Sequence, residues 1–253
     1  MLMGARCPIP ARIGAPGARC PGAGGCHHDP VSTPAAPRSL ADLGPIEQLR
    51  AGRLPRRLVQ LYAGLVAYGV SLGLMIRGDL GLAPWDVLHS GLTHHVPLTI
   101  GQAVVLMSFV VLVLWLPLRE KPGLGTISNA LVVGISADAT LALLVRPDVL
   151  ALRLALMVGG VVLCGLATAM YIGAQLGRGP RDGLMTGLAR RTGVSMRLVR
   201  TGLEIAVVLV GLLLGGTVGL GTVLYALAIG PLTQLMMPTW IVPVRPREAS
   251  RCI

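Results

Sequence analysis

The chain has 253 residues, of which 53% are apolar and only 13% are charged, and its mean hydropathy is +0.71. These values exclude an ordinary soluble domain and indicate a membrane protein. The formal net charge is +11, yet one Phe, four Tyr and three Trp are too few for stacking on nucleic-acid bases or for the aromatic girdles of an outer-membrane barrel. We therefore expect an all-α polytopic membrane protein whose first partner is the lipid bilayer, with no nucleic acid bound.

The amino-terminal segment has nothing to bury. Residues 1–37 contain 13 Gly and Pro and no apolar run long enough for the core of a signal peptide. We predict a disordered tail over 1–50, in which 1–30 are an over-extended start, because Val31 opens a stretch typical of a protein's first residues. The segment holds four potential metal ligands, Cys20, Cys26, His27 and His28. Their spacing fits no zinc motif, so we expect no metal and no other cofactor.

Six apolar stretches follow, each long enough to cross about 30 Å of hydrocarbon. They are residues 58–76, 98–118, 124–145, 150–173, 195–215 and 219–242. Residues 58–145 form a first transmembrane unit and 150–242 a second, and a short tail, 243–253, ends the chain. After the first and the fourth stretch lie segments that are too short and too polar to cross, and each contains a Pro followed by an amphipathic piece.

The basic residues indicate how the spans are oriented. Fifteen Lys and Arg residues fall on one side of the six spans, and only Arg77, Arg146 and Arg153 fall on the other. Basic residues near the ends of spans resist translocation. We therefore predict a multi-pass protein of the bacterial inner membrane with both termini in the cytoplasm.

The two transmembrane units are copies of one pattern. At an offset of 96 residues, 60–141 aligns without gaps on 156–237 with 21 identities. The matches concentrate in two motifs, GLAPWDVLHSGL (81–92) on GRGPRDGLMTGL (177–188) and GLGTISNALVVG (123–134) on GLGTVLYALAIG (219–230). Each unit holds three spans, an odd number, so the second unit enters the membrane from the opposite side. The prediction is a pair of inverted three-helix repeats, an arrangement that secondary transporters use.

The first motif predicts a short helix in each half. Pro84 and Pro180 suit the first turn of a helix, and Asp86 and Asp182 follow two residues later, close to the positive end of the helix dipole. We expect a half-helix that re-enters the membrane or a helix at its interface, with Trp85 on its apolar face. The two carboxylates either cap these helices or line a pathway.

Few polar residues lie within the spans, which makes them informative. They are Gln102, Asn129, Asp138, Glu204 and Gln234. A carboxylate at the depth of Asp138 is protonated, paired or in contact with water, so we expect either an ion pair with Arg153 or a proton or ion site. For Glu204 we favour a local pair with Arg200, four residues earlier.

The GLGT motifs open the third and sixth spans. Their residues are Gly123, Gly125 and Thr126 in one half and Gly219, Gly221 and Thr222 in the other. Small residues here favour close helix packing, with the threonine hydroxyl bound to a carbonyl; an anion held by the helix N-termini is the second interpretation.

No catalytic pattern is present in the sequence. His89, His94 and His95 lack the spacing of a zinc helix, no Gly-x-Ser-x-Gly occurs, and Ser136 has no histidine at its depth. We do not expect an enzyme.

With GLAPWDVLHSGL and KPGLGTISNALVVGISAD in view, the chain resembles the YczE/YitT-like bacterial integral membrane proteins, and most of all the YczE branch, over about residues 58–240. The Pro-Trp-Asp-Val and Pro-Gly-x-Gly-Thr motifs carry the resemblance. It implies a multi-pass inner-membrane protein of unknown biochemical activity, a group sometimes assigned five spans rather than six. The second half departs from this pattern, because Arg181 stands where the first half has Trp85.

Two classes of function fit this sequence. A small-solute, permease-like secondary transporter requires a polar path built from both halves, whereas a non-transporting accessory or scaffold protein requires an apolar interior and a membrane-protein partner. Both classes of function are compatible with a homo-oligomer. We favour transport, with pathway candidates Asp86, Asp182, Asn129, Asp138, Gln234 and Glu204.

Overall fold

The computed structural model describes residues 44–244, and this part of the chain is helical without strands. Its helices are α1 (Pro45–Arg50), α2 (Leu54–Gly78), α3 (Pro84–Thr93), α4 (Ile100–Leu118), α5 (Leu124–Leu143), α6 (Leu150–Gly173), α7 (Pro180–Thr192), α8 (Met196–Leu213) and α9 (Leu220–Trp240). The predicted artefactual start, the Cys and His cluster near residue 26 and the tail beyond 244 lie outside the described residues.

The predicted disordered tail is wrong at its end, because Pro45–Arg50 form α1. Pro45 occupies the first turn, and the Glu47 carboxylate accepts a hydrogen bond from the Gly44 N–H at 3.0 Å. The buried Arg57 side chain donates to the carbonyl of Gln48, which ties α1 to α2. Local capping and this one long side chain give the segment an order that its composition did not predict.

Five helices of the described region are long and apolar enough to cross a membrane, namely α2, α4, α5, α6 and α9. The protein is thus a multi-pass membrane protein. Helix α8 coincides with the fifth predicted span, 195–215, but is not among the five helices. Its 18 residues contain Arg197, Arg200 and Glu204, three charged side chains in its first half. The span predicted over 195–215, and with it the total of six, stays a prediction.

Helices α2 and α6 pack against each other in antiparallel directions. Arg57, near the start of α2, donates to the carbonyls of Ala174–Gln175, just beyond the end of α6. Arg153, near the start of α6, donates to the carbonyls of Gly78–Asp79, at the end of α2. Each helix end thus has its unpaired carbonyls bound by an arginine of the other helix, an arrangement that the helix dipole favours.

The helices of the two halves begin 96 residues apart. The matching starts are Leu54 and Leu150, Pro84 and Pro180, Ile100 and Met196, and Leu124 and Leu220. Hydrogen bonds between the halves are reciprocal as well: the Gly125 N–H donates to Leu176 O at 2.7 Å, and the Gly221 N–H donates to Leu80 O at 2.8 Å. The short helices cross over, since α3 packs on α8 and α7 packs on α4. That the two halves cross the membrane in opposite directions stays a prediction.

Both short helices begin as the sequence predicts, with proline in the first turn. Before them the chain turns at Gly81 and Gly177, with φ of 124° and 128°, a conformation that favours glycine. At Gly81 a Cβ atom would also lie 2.8 Å from the backbone of Gly219. These turns direct the start of α3 into the bundle, where its residues from Pro84 to His89 are all buried.

Candidate functional site

The starts of α3 and α7 meet inside the bundle, and the second residue of each helix makes the contact. The Arg181 guanidinium lies over the Trp85 ring, 5.3 Å from its centroid, and 5.9 Å from the centroid of the Tyr68 ring on α2. A cation over an aromatic face is attracted by the ring quadrupole. Around this contact lies what we call the central polar cluster: Tyr68, Trp85, Asp86, His89, Tyr171, Arg181 and Asp182.

Asp86 is nearly inaccessible, with 1% of its surface exposed, and its Oδ1 lies 3.1 Å from His89 Nδ1. Burial lowers the pKa of His89, against the opposing effect of the Asp86 hydrogen bond. A neutral imidazole with its proton on Nδ1 then donates to the carboxylate. Asp86 makes no hydrogen bond to a backbone N–H of its own helix in the described region, so the capping interpretation lacks its expected contact.

Asp182 accepts a hydrogen bond from the Tyr171 hydroxyl of α6. Tyr171 packs edge-on against Tyr68, with ring centroids 6.1 Å apart. A Cβ atom at Gly179 would lie 3.0 Å from Asp182 Oδ2, 3.3 Å from the Tyr171 hydroxyl and 3.4 Å from Asn129 Nδ2. Three polar groups therefore surround the position that a side chain of Gly179 would occupy. Asn129 thus joins the cluster from α5.

Arg181 is half-buried and lies close enough to both carboxylates to be affected by them. Burial alone would lower the pKa of its guanidinium, yet Tyr68, Asp86 and Asp182 are among the groups that raise it above its usual value. Within residues 44–244, however, Arg181 makes no hydrogen bond and no ion pair. The cluster therefore combines a cation and two carboxylates that are near one another without direct pairing.

Trp85 adds a second donor without a partner. The residue is 6% exposed, and its Nε1 atom is buried with no hydrogen-bond acceptor in the described part of the chain. The contrast is Trp115, whose Nε1 donates to Pro180 O at 3.0 Å. A buried indole N–H normally has an acceptor, so its absence here is informative.

Asp138 lies apart from this cluster, and of the two alternatives predicted for it the ion pair with Arg153 is wrong. Its Oδ1 accepts from the Gly101 N–H at 2.8 Å and its Oδ2 accepts from the Thr99 hydroxyl, at the start of α4. Arg153 instead contacts Gly78 and Asp79. A carboxylate from α5 thus satisfies the unpaired N-terminal donors of α4, which is a structural contact.

The remaining pathway candidates do not reach the cluster either. Arg200 Nε donates to Glu204 Oε1 at 2.9 Å, which confirms the predicted local pair. Gln234, the counterpart of Asp138 in the second half, is exposed on α9. Of the six candidates, Asp86, Asp182 and Asn129 are brought together.

The GLGT motifs lie at the contact between the halves. The Thr126 hydroxyl donates to Arg178 O at 2.7 Å and accepts from the Gly123 N–H at 3.2 Å. In the second half the Thr222 hydroxyl accepts from the Gly219 N–H at 3.3 Å. These helix N-termini are occupied by protein groups, which agrees with the packing interpretation and leaves an anion little access. Over residues 44–244 no three His, Cys, Asp or Glu side chains are grouped so as to hold a metal ion.

Sequence reasoning missed four residues of the cluster, Tyr68, His89, Tyr171 and Arg181. Arg181 was noted only as the residue that replaces Trp85 in the second repeat. A basic residue between a helix-starting proline and an aspartate was the available signal. The tyrosines gave none, because at offset 96 they align with Cys164 and Met75 and so break the repeat.

Comparison with known proteins agrees with the resemblance inferred from the motifs. Residues 55–238 match the family of unknown function DUF6198, and the chain belongs to this family. It is 41% identical to an uncharacterized protein of Haemophilus influenzae over 177 residues, which cover 70% of this chain and 81% of that protein. It is 32% identical to the uncharacterized membrane protein YczE of Bacillus subtilis over 179 residues, 70% of this chain and 83% of the relative. No solved structure matches the chain.

Proposed function

We propose that this membrane protein is a secondary transporter of a small solute and that the central polar cluster is its binding site. The observation that carries the proposal is the position of Asp86 and Asp182. They are equivalent residues of the two halves, and each directly follows one partner of the Arg181–Trp85 contact, where the starts of α3 and α7 meet among apolar helices. Ionisable groups within a membrane protein are costly and mark pathways for solutes or ions.

The proposal includes six spans arranged as inverted repeats, with both termini in the cytoplasm. The antiparallel packing of α2 on α6 supports it, because equivalent helices that run in opposite directions cross a membrane in opposite directions. Helix α8 would supply the fifth of these spans and bring the total to six. The Arg200–Glu204 pair lowers the cost of placing its first half near the membrane surface.

In this proposal, alternating access depends on the short helices, because each of them packs against a long helix of the other half. Helix α3 packs on α8 and α7 packs on α4, so movement of α4 relative to α8 carries the two helix starts with it. The cluster lies where those starts meet. A solute bound there would be enclosed by both halves and exposed to one side at a time.

Charge removal tests the proposal. The purified protein is reconstituted into liposomes, and uptake of lactate, glycine, glucose, choline and potassium is measured against empty liposomes. We expect flux of at least one solute and its loss in Asp86→Asn and in Asp182→Asn, because asparagine keeps the size of the side chain but not its charge. Asp148→Asn, in an exposed loop, is the matched control and should transport normally.

Two outcomes would contradict transport. One is flux no greater than in empty liposomes for every solute of the panel. The other is full flux in both cluster variants, since asparagine caps a helix almost as well as aspartate and a purely structural carboxylate tolerates the exchange. Either result would favour the accessory or scaffold function.

A further inference from the structure

The Arg181 guanidinium has donors without acceptors. It is half-buried, stacks on Trp85 and Tyr68, and makes no hydrogen bond or ion pair within the described residues. A guanidinium carries five N–H donors and stays charged, so its charge cannot be relieved by losing a proton. Ring stacking alone offers no oxygen to these donors.

The neighbouring carboxylates do not fill this role in the described structure, because neither forms a hydrogen bond or an ion pair with Arg181. Asp86 pairs with His89, and Asp182 accepts from the Tyr171 hydroxyl. The imidazole and the phenol, and not Arg181, are thus the side chains that bind these carboxylates in the described structure. The donors of Arg181 are left for a group that is not part of the described chain.

A second donor lies beside the first. The Trp85 indole N–H is buried without an acceptor, in the ring over which the guanidinium stacks. Buried donors are nearly always satisfied, and a donor without a protein partner indicates a bound water, ion or ligand. Two side chains that contact each other, one from each half of the repeat, therefore each have a donor without an oxygen acceptor.

The surroundings limit what that acceptor is. A carboxylate matches the planar fork of a guanidinium, and the Trp85 and Tyr68 rings would pack against a short organic chain. Asp86 and Asp182 repel any anion, and they repel a dianion more strongly than a monoanion, which disfavours doubly charged ligands such as hydrogen phosphate. We propose that Arg181 and Trp85 bind the carboxylate of a small organic monoanion. Its role as the transported solute rests on the proposed function, whereas the binding site itself does not.

Tryptophan fluorescence measures this binding directly. The chain has three Trp residues, so replacing Trp115 and Trp240 by Phe leaves Trp85 as the single reporter. Acetate, propionate and lactate are titrated against chloride at constant ionic strength, with succinate, phosphate and choline as further probes. We expect a saturable signal with the monocarboxylates, a weaker one with succinate and phosphate, and none with choline.

Substitutions in this reporter protein assign the signal to Arg181. Arg181→Gln should weaken binding about 10- to 100-fold, because hydrogen bonds to a charged group are lost. Arg181→Lys keeps the charge without the planar fork, so its affinity should lie between those of the unsubstituted reporter protein and Arg181→Gln. Arg197→Gln, an exposed position on α8, should bind normally. If Arg181→Gln does not fold, Trp85→Phe in the native chain replaces it, with ligand-induced thermal stabilisation as the measurement and reduced stabilisation as the expected result.

The outcomes separate this proposal from transport itself. Equal responses to monocarboxylates and chloride, or undiminished binding in Arg181→Gln, would overturn the anion site even if another solute were transported. Saturable carboxylate binding that depends on Arg181, without lactate uptake into liposomes, would keep the site and refute its role in transport.

Discussion

Replacing Arg57 by Gln should destabilise the protein more than any other exchange of a single arginine in α2 or α6. Arg57 is fully buried, and its guanidinium donates to three backbone carbonyls. Two of these belong to Ala174 and Gln175, at 2.8 and 2.6 Å, where α6 has ended and the last carbonyls have no partner within the helix. The shorter glutamine amide can reach one of the three at most.

The magnitude follows from the carbonyls left behind. About two buried carbonyl groups lose their donor, and each costs roughly 1–3 kcal/mol, so the free energy of unfolding should fall by about 2–6 kcal/mol. The matched exchange is Arg153→Gln in the second half. The Arg153 side chain is 19% exposed, so water can replace its hydrogen bonds, and we expect a loss of about 1–2 kcal/mol.

Unfolding in detergent micelles by heat or by dodecyl sulfate, followed by tryptophan fluorescence, measures the difference. Arg56→Gln serves as the control, because Arg56 is the exposed neighbour of Arg57. We expect the order Arg57→Gln, Arg153→Gln, Arg56→Gln from the least to the most stable protein. A stability of Arg57→Gln equal to that of the Arg56 control, or a larger loss in Arg153→Gln, would refute the role assigned to these carbonyl contacts.

Two further predictions concern topology and capping. Reporter fusions after Arg119, within 190–192 and at the carboxyl terminus should report the cytoplasm, and a fusion near His94 should report the exterior. A cytoplasmic location of His94 would contradict the inverted repeat. Asp138→Ala should lower the thermal stability by about 0.5–2 kcal/mol through the lost cap of α4, and leave carboxylate binding at Arg181 unchanged. Impaired binding in that variant would connect Asp138 to the site.

The sequence predicted those parts of the fold that depend on composition and period. Apolar stretches long enough for the membrane became α2, α4, α5, α6 and α9, and the Gly-x-x-Pro motifs became the starts of α3 and α7. Length, hydropathy and the fixed φ of proline decide these features locally. The same local rules also identified the pair of Arg200 with Glu204, because four residues make one turn.

The candidate site was only partly predictable, because its contacts are long-range. Asp86, Asp182 and Asn129 were recognised as polar groups in apolar surroundings, but spacing cannot say that Asp182 meets Tyr171 or that Arg181 stacks on Trp85. Asp138 shows the opposite error: a carboxylate within a span suggested a site, and it binds the start of a neighbouring helix.

The two halves have matching helices and matching contacts between them, which form a common frame, but they have different side chains in the cluster. The kind of contact that holds the frame explains why the side chains can differ. Arg57 and Arg153 bind carbonyls, and the reciprocal hydrogen bonds of Gly125 and Gly221 run from backbone to backbone. Contacts to the backbone do not depend on the side chain at the accepting residue, so the frame tolerates different residues at its centre. There the second half supplies the cation, Arg181, and the first supplies the aromatic ring and a histidine, whose counterpart is a methionine. The Arg181–Trp85 contact joins one residue of each half, so the proposed site is single and shared by both halves rather than duplicated with the repeat.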